Sequence, residues 1–227
     1  MTLYLGTDPS HYKAQGKLIH YPILKLIPRE VPSYIFEEIS KYTHCIFTSK
    51  NTVSLLKEAF AKKGLSMEIL QTKQIIALGQ VTAARLEEEG LRVVAIAQEE
   101  TQEGVIDLLK QMVLDQAYIF LPHSALARDE LENFLKESKV SYQVCDLYDT
   151  VAQTLGPLPN LNEVDEIVFT SPSCVRAFFD IFISVPNGKK LSCIGPITKK
   201  ELTRIIDQKR REGILSLRAC PRITSQS

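Results

Sequence analysis

A chain of 227 residues is longer than most single compact domains and long enough for two. Apolar residues make up 44% of it and charged residues 24%, which is the composition of a globular protein with a core in each half. Lys plus Arg equals Asp plus Glu, at 27 each, so no net basic field attracts nucleic acid or a membrane surface. The opening residues lack the pattern of a signal peptide, and no apolar run reaches the ~20 residues of a membrane span, so we expect a cytoplasmic protein.

The sequence contains five cysteines and four histidines, and neither set has the spacing of a metal site. No C-x-x-C pair occurs, and four of the cysteines lie in or beside apolar segments, where a free thiol packs as a small hydrophobic group. We therefore expect no bound metal, and reduced thiols at Cys45, Cys145, Cys174, Cys193 and Cys220.

The N-terminal part of the chain predicts strands followed by polar turns and helices. A short apolar strand in TLYLGTDPS precedes an extended, proline-punctuated segment, KLIHYPILKLIPREVP. HCIFTSKNTVSLLKEAF (His44 to Phe60) has the pattern of an apolar strand, a polar turn and an amphipathic helix, and QIIALGQVTAARLEEEG (Gln74 to Gly90) has it too.

The middle of the chain continues the alternation of strands and helices. Residues 116–151 predict a strand, a turn at Pro122-His123-Ser124, a helix and a second strand. DLYDTVAQTLGPLPNL then has the character of a loop, because Gly and Pro interrupt it. The predicted helix has one apolar face, formed by Leu126, Leu131, Phe134 and Leu135.

The last third of the chain repeats the two N-terminal units in the same order. EIVFTSPSCVRAFFDIF (Glu166 to Phe182) matches the unit at His44, and LSCIGPITKKELTRI (Leu191 to Ile205) matches the unit at Gln74. One shared tripeptide would be chance, but two units in one order indicate two similar domains. The aligned pairs are Phe47/Phe169, Thr48/Thr170, Ser49/Ser171, Val53/Val175, Gly79/Gly195 and Thr82/Thr198.

Short apolar strands that alternate with helices predict α/β domains with doubly wound parallel sheets. We predict two such domains, joined by a two-stranded linker, with a cleft between them. One domain is continuous, at residues 31–146, and the other combines residues 1–26 with residues 152–227. The segments 27–30 and 147–151 form the linker.

Each predicted strand ends in a turn rich in Ser, Thr, Gly or Pro that opens a helix. The simpler interpretation is helix capping, in which these residues satisfy the free N–H groups of the first turn. The functional interpretation is that several helix N-termini converge on a cleft and bind carboxylates or phosphates. Neither a P-loop nor a G-x-G-x-x-G motif is present, which weighs against nucleotide binding.

Two side chains stand out as candidates for acid–base chemistry. His123 follows a predicted strand and could reach a cleft, although a solvated loop histidine is the simpler interpretation. Tyr148 closes the strand before the return loop, and its phenol could donate a proton. The alternative for Tyr148 is an aromatic side chain at the protein surface with its hydroxyl in water.

The chain resembles the uroporphyrinogen-III synthase family. The resemblance covers roughly residues 44–205 and lies in short segments that follow the family's order. These are FTSKNTV, IALGQVTAARLEEEGL with ETQEGVIDLL, FLPHSALARDELENFLKESKVSYQVCDLYDTV, IVFTSPSCVRAFF and CIGPITKKEL.

The resemblance implies a cofactor-free enzyme of haem biosynthesis that closes hydroxymethylbilane, a linear tetrapyrrole, into uroporphyrinogen III. Loss of the substrate's hydroxyl gives an azafulvene cation. The terminal ring is then attacked at its substituted carbon, passes through a spiro intermediate and closes inverted. Substrate and product carry eight carboxylates, which suits a surface of helix N-termini. The enzyme's main task would be to fold the substrate so that inverted closure is faster than spontaneous closure to the type I isomer.

The resemblance also assigns roles to individual residues. Tyr148 matches the family's tyrosine in a strand-end Y-x-T motif, the usual candidate for assisting loss of the hydroxyl. Substrate contacts, many through backbone N–H groups, are implied at Ser49, Thr82, Ser171, Pro172, Ser173 and Thr198.

The two ends of the chain fit the family less well than the middle. Gly6-Thr7-Asp8-Pro9 lacks the arginine that commonly ends the family's first strand, and residues 208–227 fit its last strand and helix poorly. Two alternatives therefore stay open: a non-catalytic two-domain binding protein for a small anionic ligand, and a degenerate relative with a scaffold role. In the enzyme hypothesis we expect a monomer whose partner is the tetrapyrrole substrate, with no nucleic acid or membrane partner.

Overall fold

The computed structural model describes residues 1–10, 12–182, 185, 188–212 and 222–226, the last range for its backbone alone. Eleven strands are present in these ranges: β1 (Thr2–Tyr4), β2 (Leu18–His20), β3 (Leu24–Pro28), β4 (His44–Phe47), β5 (Gln74–Ala77), β6 (Val93–Ile96), β7 (Tyr118–Ser124), β8 (Ser141–Ala152), β9 (Glu166–Phe169), β10 (Lys190–Ile194) and β11 (Arg222–Gln226). The α-helices there are α1 (Ser33–Glu37), α2 (Lys50–Lys62), α3 (Gln80–Glu88), α4 (Gln102–Leu109), α5 (Glu130–Glu137), α6 (Pro172–Ile181) and α7 (Pro196–Arg211), with short 3-10 helices at Met67–Leu70 and Leu161–Glu163.

The chain divides into two compact units, each with its own sheet. The first unit combines Met1–Leu26 with Thr150–Ser227, and the second is the continuous segment Ile27–Asp149. The sheet of the first unit has the order β11-β10-β9-β1-β2, and that of the second has the order β3-β8-β7-β4-β5-β6. The prediction of mixed α/β architecture with parallel sheets is confirmed.

The two sheets share one strand order once the chain is permuted. The first described strand after the return loop is β9. From β9 the sheet continues through β10 and β11 to one edge, and through β1 and β2 to the other edge. In the second unit the sheet continues from β4 through β5 and β6 to one edge, and through β7 and β8 towards the other edge. Neighbouring strands in both series are parallel, which is the doubly wound arrangement.

Burial on both faces explains why the central strands are apolar along their length. All four residues of β4 are buried, so side chains on either face of the sheet are covered. Ile46 and Ile119 pack with Val105 of α4 and Leu135 of α5 in one cluster. In the first unit Leu3, Ile167 and Phe178 belong to a corresponding cluster.

Strand β7 is longer than the sequence predicts, and this corrects two expectations. Pro122-His123-Ser124 is not a turn, because all three residues belong to β7 and pair with β8. Proline is tolerated there because the pairing of β7 with β4 covers Ile119 and Phe120 and goes no further, so the missing N–H of Pro122 breaks no ladder on that side. The following helix begins only at Glu130, which leaves Leu126 outside it and exposed.

The C-terminal region contains a strand that the sequence analysis does not predict. β11 pairs in parallel with β10 along its full length and forms the edge of the first sheet. Residues 213–221, which belong to the poorly fitting segment, lie outside the described residues, as does Cys220.

The cysteines that the structure describes are free and buried, as expected: Cys45, Cys145, Cys174 and Cys193. Burial raises the pKa of the Cys45 and Cys174 thiols to about 12. Such thiols stay protonated at neutral pH and behave as core side chains. No helix within the described ranges is both long and apolar enough to cross a membrane.

Candidate functional site

The candidate site in the second unit lies where the strand order reverses, between β4 and β7. In doubly wound sheets ligands bind outside the carboxyl ends of the strands at this point. Thr48 and Ser49 follow β4, and Ser124 ends β7. Ser49 is the N-cap of α2, and its side-chain oxygen accepts a hydrogen bond from the backbone N–H of Thr52 at 3.2 Å. The α2 N-terminus is therefore fixed at the reversal point.

Tyr148 reaches the same point from strand β8. Its hydroxyl lies 3.4 Å from the Ser49 side-chain oxygen, and the residue is only 6% exposed. The residue as a whole is largely enclosed, so the interpretation of Tyr148 as an aromatic side chain at the protein surface is wrong. Tyr148 and Ser49, separated by 99 residues in the chain, are brought within reach of each other.

His123 is also enclosed, which corrects its interpretation as a solvated loop residue. It lies in strand β7, is 6% exposed, and places Nε2 3.0 Å from the Asp146 carboxylate of β8. Nε2 of His123 therefore contacts a carboxylate of the neighbouring strand β8.

The N-terminus of α3 lies at the next strand end and already carries a carboxylate. Glu100 is exposed, yet its Oε1 accepts a hydrogen bond from the backbone N–H of Gln80 at 2.9 Å. Glu100 thus supplies an anion to a helix N-terminus. Thr82, in the first turn of α3, is buried, so its contact with any ligand at this turn would be through the backbone.

The corresponding strand ends of the first unit open α6 and α7. Ser171 caps α6 by accepting a hydrogen bond from the Cys174 N–H at 3.2 Å, Pro172 occupies the first helical turn, and Ser173 is half-buried. Thr198 is buried in the first turn of α7. Because β9 and β10 are parallel neighbours, the two helix N-termini lie along one edge of that sheet.

A close backbone approach marks the reversal point of the first sheet, between β9 and β1. A Cβ on Gly6 would lie 2.6 Å from the Thr170 methyl group and 2.8 Å from the Tyr4 ring. The Tyr4 hydroxyl donates a hydrogen bond to the Asp8 carbonyl at 3.0 Å, and burial raises the pKa of this phenol to about 12. Tyr4 therefore holds the turn after β1, a role that nothing in the sequence pattern indicates.

The sequence reasoning missed Glu100 and Arg29. Arg29 donates hydrogen bonds to both Asp146 and Asp149, which flank Tyr148 in strand β8. Neither residue stands in a motif, and only the pairing of distant segments brings them to the site. Glu100 contacts a backbone N–H 20 residues away, and Arg29 contacts carboxylates 117 and 120 residues away.

Comparison with known protein families gives one match that spans most of the chain. The family model described as uroporphyrinogen-III synthase HemD matches residues 11–205.

Two curated proteins are similar over most of this chain. A protein of Methanothermobacter thermautotrophicus, provisionally named a uroporphyrinogen-III synthase, is 27% identical over 205 residues, covering 83% of this chain and 80% of that protein. The porphyrin biosynthesis protein HemD of Ruminiclostridium josui is 24% identical over 202 residues, covering 84% of this chain but 38% of its own length.

Solved structures share the fold at lower sequence identity. The uroporphyrinogen-III synthetase of Helicobacter pylori aligns with a TM-score of 0.63 at 18% identity, covering 98% of this chain and 91% of that one. A mutant uroporphyrinogen III synthase of Thermus thermophilus aligns with a TM-score of 0.61 at 19% identity, covering 100% and 92%. At this identity the likeness is evidence for the fold.

Proposed function

The chain belongs to the uroporphyrinogen-III synthase family, and we propose that it closes hydroxymethylbilane into uroporphyrinogen III with Tyr148 at the reacting end of the substrate. It is a cyclising lyase of haem biosynthesis. The observation that carries the role of Tyr148 is the placement of its hydroxyl 3.4 Å from Ser49 at the α2 N-terminus, where the strand order reverses.

Tyr148 would assist the departure of the substrate's hydroxyl group. The C–O bond breaks as the phenol donates its proton, so water leaves and the azafulvene cation remains. The substituted carbon of the terminal ring bonds to this cation, and the spiro intermediate rearranges to the inverted macrocycle. The proton released when the terminal ring regains aromaticity would restore the phenol, so only water is lost overall.

Ser49 would hold the Tyr148 hydroxyl in position for this transfer. The Ser49 oxygen also lies 2.9 Å from the Thr52 side-chain oxygen and accepts from the Thr52 N–H, so its own position is fixed by two contacts. A hydroxyl held by a fixed neighbour loses less orientational freedom on reaction than one in water.

The helix N-termini would bind the substrate's carboxylates. Free N–H groups and the helix dipole favour an anion at each of these ends. The carboxylate of Glu100 at the α3 N-terminus is an internal example of this chemistry. We assign Ser49 and Thr82 in one unit, and Ser171, Pro172, Ser173 and Thr198 in the other, to substrate binding.

We further propose that the enzyme acts as a monomer in the cytoplasm, without a cofactor or a nucleic-acid partner. The buried, free thiols of the described cysteines support a reducing compartment. Light scattering on a size-exclusion column tests the oligomeric state, and a mass of 25.6 kDa is expected.

The isomer of the product tests the function directly. Purified protein mixed with freshly prepared hydroxymethylbilane should give the type III isomer, separated by chromatography after oxidation, whereas a sample without protein should give type I. Type I alone in both samples would overturn the proposal. The alternative, a non-catalytic binding protein, predicts type I product in both samples together with calorimetric binding of a small anion. The family match does not favour this alternative.

A further inference from the structure

Strand β8 carries a bulge immediately before Tyr148. His123 pairs with Asp146, but the next residue of β7, Ser124, pairs with Tyr148, so Leu147 is an extra residue on β8. A bulge of this kind bends its strand and changes the direction in which the following side chain points. The direction of the Tyr148 side chain therefore depends on how firmly the bulge is held.

Arg29 holds the bulge from the neighbouring chain segment on the other side. Its backbone N–H donates to the carbonyl of Leu147, the extra residue, at 2.8 Å. Its guanidinium donates to both oxygens of Asp149, at 2.8 and 2.7 Å, and to Asp146 at 3.1 Å. Arg29 thus contacts the bulge residue Leu147 and two carboxylates, Asp146 before it in the chain and Asp149 after Tyr148.

His123 completes the arrangement from strand β7. Its Nε2 lies 3.0 Å from Asp146 Oδ1, while Arg29 binds Oδ2 of the same carboxylate. Asp146 is consequently held from both sides of β8. A planar guanidinium suits this geometry, because its N–H groups form a rigid fork that one ammonium group cannot reproduce.

The exposure of these ion pairs argues that their role is in geometry more than in stability. The side chains of Arg29, Asp146 and Asp149 are 43%, 42% and 39% exposed. Exposed pairs contribute little to folding because water screens them. Hydrogen bonding from Arg29 lowers the pKa of the Asp149 carboxyl, so the contact favours the charged form of this carboxylate.

We propose that Arg29 is a positioning residue that, through the β8 bulge, orients Tyr148 for proton donation, an inference that rests on the proposed role of Tyr148. Small displacements of a reacting group cost large factors in rate, on the order of a hundredfold for about 1 Å. Loss of the Arg29 contacts should therefore reduce turnover even though the protein stays folded.

The kinetic test uses Arg29→Ala and Arg29→Lys, with Arg85→Ala as a matched control. Arg85 also binds two carboxylates, Glu88 and Glu89, at 2.8 and 2.7 Å, but it lies in the last turn of α3, away from the carboxyl ends of the strands. We expect both Arg29 variants to lower kcat about tenfold with KM changed less than twofold. Arg85→Ala should retain the kcat of the parent protein.

A double-mutant cycle with Tyr148→Phe separates positioning from general damage. If Arg29 acts through the Tyr148 hydroxyl, Arg29→Ala should cause no further loss of kcat in the Tyr148→Phe background. Losses that multiply in the double variant would overturn the proposal, as would recovery of the parent kcat in Arg29→Lys.

A measurement independent of activity distinguishes this inference from the proposed function. In protein labelled with 13C at the tyrosine ring, the signal of Tyr148 is assigned by its absence in Tyr148→Phe. That signal should shift in Arg29→Ala and stay in place in Arg85→Ala. An unmoved signal in Arg29→Ala overturns the positioning role, whatever the isomer assay gives. A shifted signal together with failure to form type III product would instead overturn the function and leave the structural coupling intact.

Discussion

Gly79 and Gly195 occupy equivalent positions in the two copies of the repeated unit, but the structure requires glycine for different reasons. Gly195 has φ of +82° and ψ of 157°, a region that is essentially restricted to glycine, and its Cβ position is open. Gly79 has an ordinary extended backbone with φ of −157°, but a Cβ there would lie 2.5 Å from the Glu100 carboxyl group. Gly195 is required because of its backbone conformation, whereas Gly79 is required because its missing side chain leaves space for Glu100.

This difference predicts unequal costs for the same substitution. Gly195→Ala should destabilise the protein by about 1–3 kcal/mol, because alanine must adopt a strained backbone. Gly79→Ala should cost less than about 1 kcal/mol, since only the end of an exposed, flexible side chain has to move. Urea unfolding followed by circular dichroism measures both values. Equal losses in the two variants would contradict the argument from backbone strain.

Tyr148→Phe tests the proposed proton donor at a single atom. The ring stays, so the core contacts are kept, and the lost hydrogen bond is long at 3.4 Å and therefore weak. We expect the free energy of unfolding to change by less than about 1 kcal/mol. Turnover should fall about tenfold to a hundredfold, which is the low end for general acid catalysis because the substrate also closes without help.

The rate and the isomer ratio of Tyr148→Phe are measured together against the parent protein. A parent-like kcat would remove Tyr148 from the reaction. Loss of cooperative unfolding would instead assign it a structural role.

At the residue scale, site residues that stand at predicted strand ends can be found from the sequence. Residues whose role depends on how two distant strands pair cannot. Tyr148 and Ser49 stand at predicted strand ends, so their proximity follows from a parallel sheet. Arg29 has no such signal, because its partners depend on the register of β3 against β8 and on a bulge at Leu147. Sequence periodicity specifies register only weakly in a strand that is mostly exposed on both faces, as β3 is.

At the scale of elements, helix caps provide a matched pair for separating stability from function. Ser49 caps α2 and Thr101 caps α4, each accepting a hydrogen bond from the N–H three residues on, at 3.2 and 3.0 Å. Ser49→Ala and Thr101→Ala should each lower stability by about 1 kcal/mol. Only Ser49→Ala should also lower kcat, because only Ser49 lies beside Tyr148.

Parallel kinetics and urea titrations of the two cap variants decide this prediction. If Thr101→Ala reduces kcat as strongly as Ser49→Ala, then the loss reflects stability and Ser49 has no special part in the site.

The contact between α6 and α7 should respond to acid. Hydrogen bonds from Arg204 and Arg176 lower the pKa of Glu201 to about 2, from an ordinary value of 4.5. Because the folded-state pKa is the lower one, the stabilisation is complete above about pH 4.5 and is lost as the pH falls towards 2. The arginines are about half exposed, so we expect only about 1 kcal/mol at neutral pH.

Glu201→Gln isolates this contribution. Urea unfolding at pH 7 should show the variant to be the less stable protein, and the difference should shrink towards zero near pH 2. A difference that persists unchanged at low pH would mean that packing, and not charge, accounts for the effect of the substitution.

Elements with a clear apolar period were predictable, and the error at β7 has a local cause. A proline usually lies at the end of a strand, so the sequence favours a turn at Pro122. The structure continues the strand because β4 ends its pairing at Phe120, which leaves one side of Pro122 without a ladder. The pairing of β4 with β7 ends before Pro122, and this is what accommodates the proline.

At the scale of the whole molecule, the repeat detected in the sequence corresponds to a permuted duplication. The matched units open both series of strands, β4-β5 and β9-β10, and the sheets continue in the same order. The remaining strands of the first sheet, β1 and β2, come from the other end of the chain. The duplication is visible in the sequence because Phe at the strand end and Thr-Ser in the following turn occur in both copies, whereas β1 and β7 share no comparable motif.

The paired connections between the units predict where the chain can be divided. The backbone N–H of Arg29 donates to Leu147 and that of Gln153 to Ile23, so β3 and β8 run in opposite directions. The same register makes Lys25 and Val151 a hydrogen-bonded pair. Removing residues 26–150 and joining Lys25 to Val151 by an Asn-Gly turn should leave a hairpin in place of the second unit.

The shortened chain and a separate chain of residues 24–152 should each unfold cooperatively in urea, because each retains its own core. Neither should form the type III isomer, since the assigned substrate-binding residues divide between the two units. A joined chain with a two-residue proline turn is the control, because it cannot supply the positive φ angles that the hairpin needs. If the Asn-Gly chain shows no cooperative transition, or is no more stable than this control, the pairing of β3 with β8 does not determine the boundary.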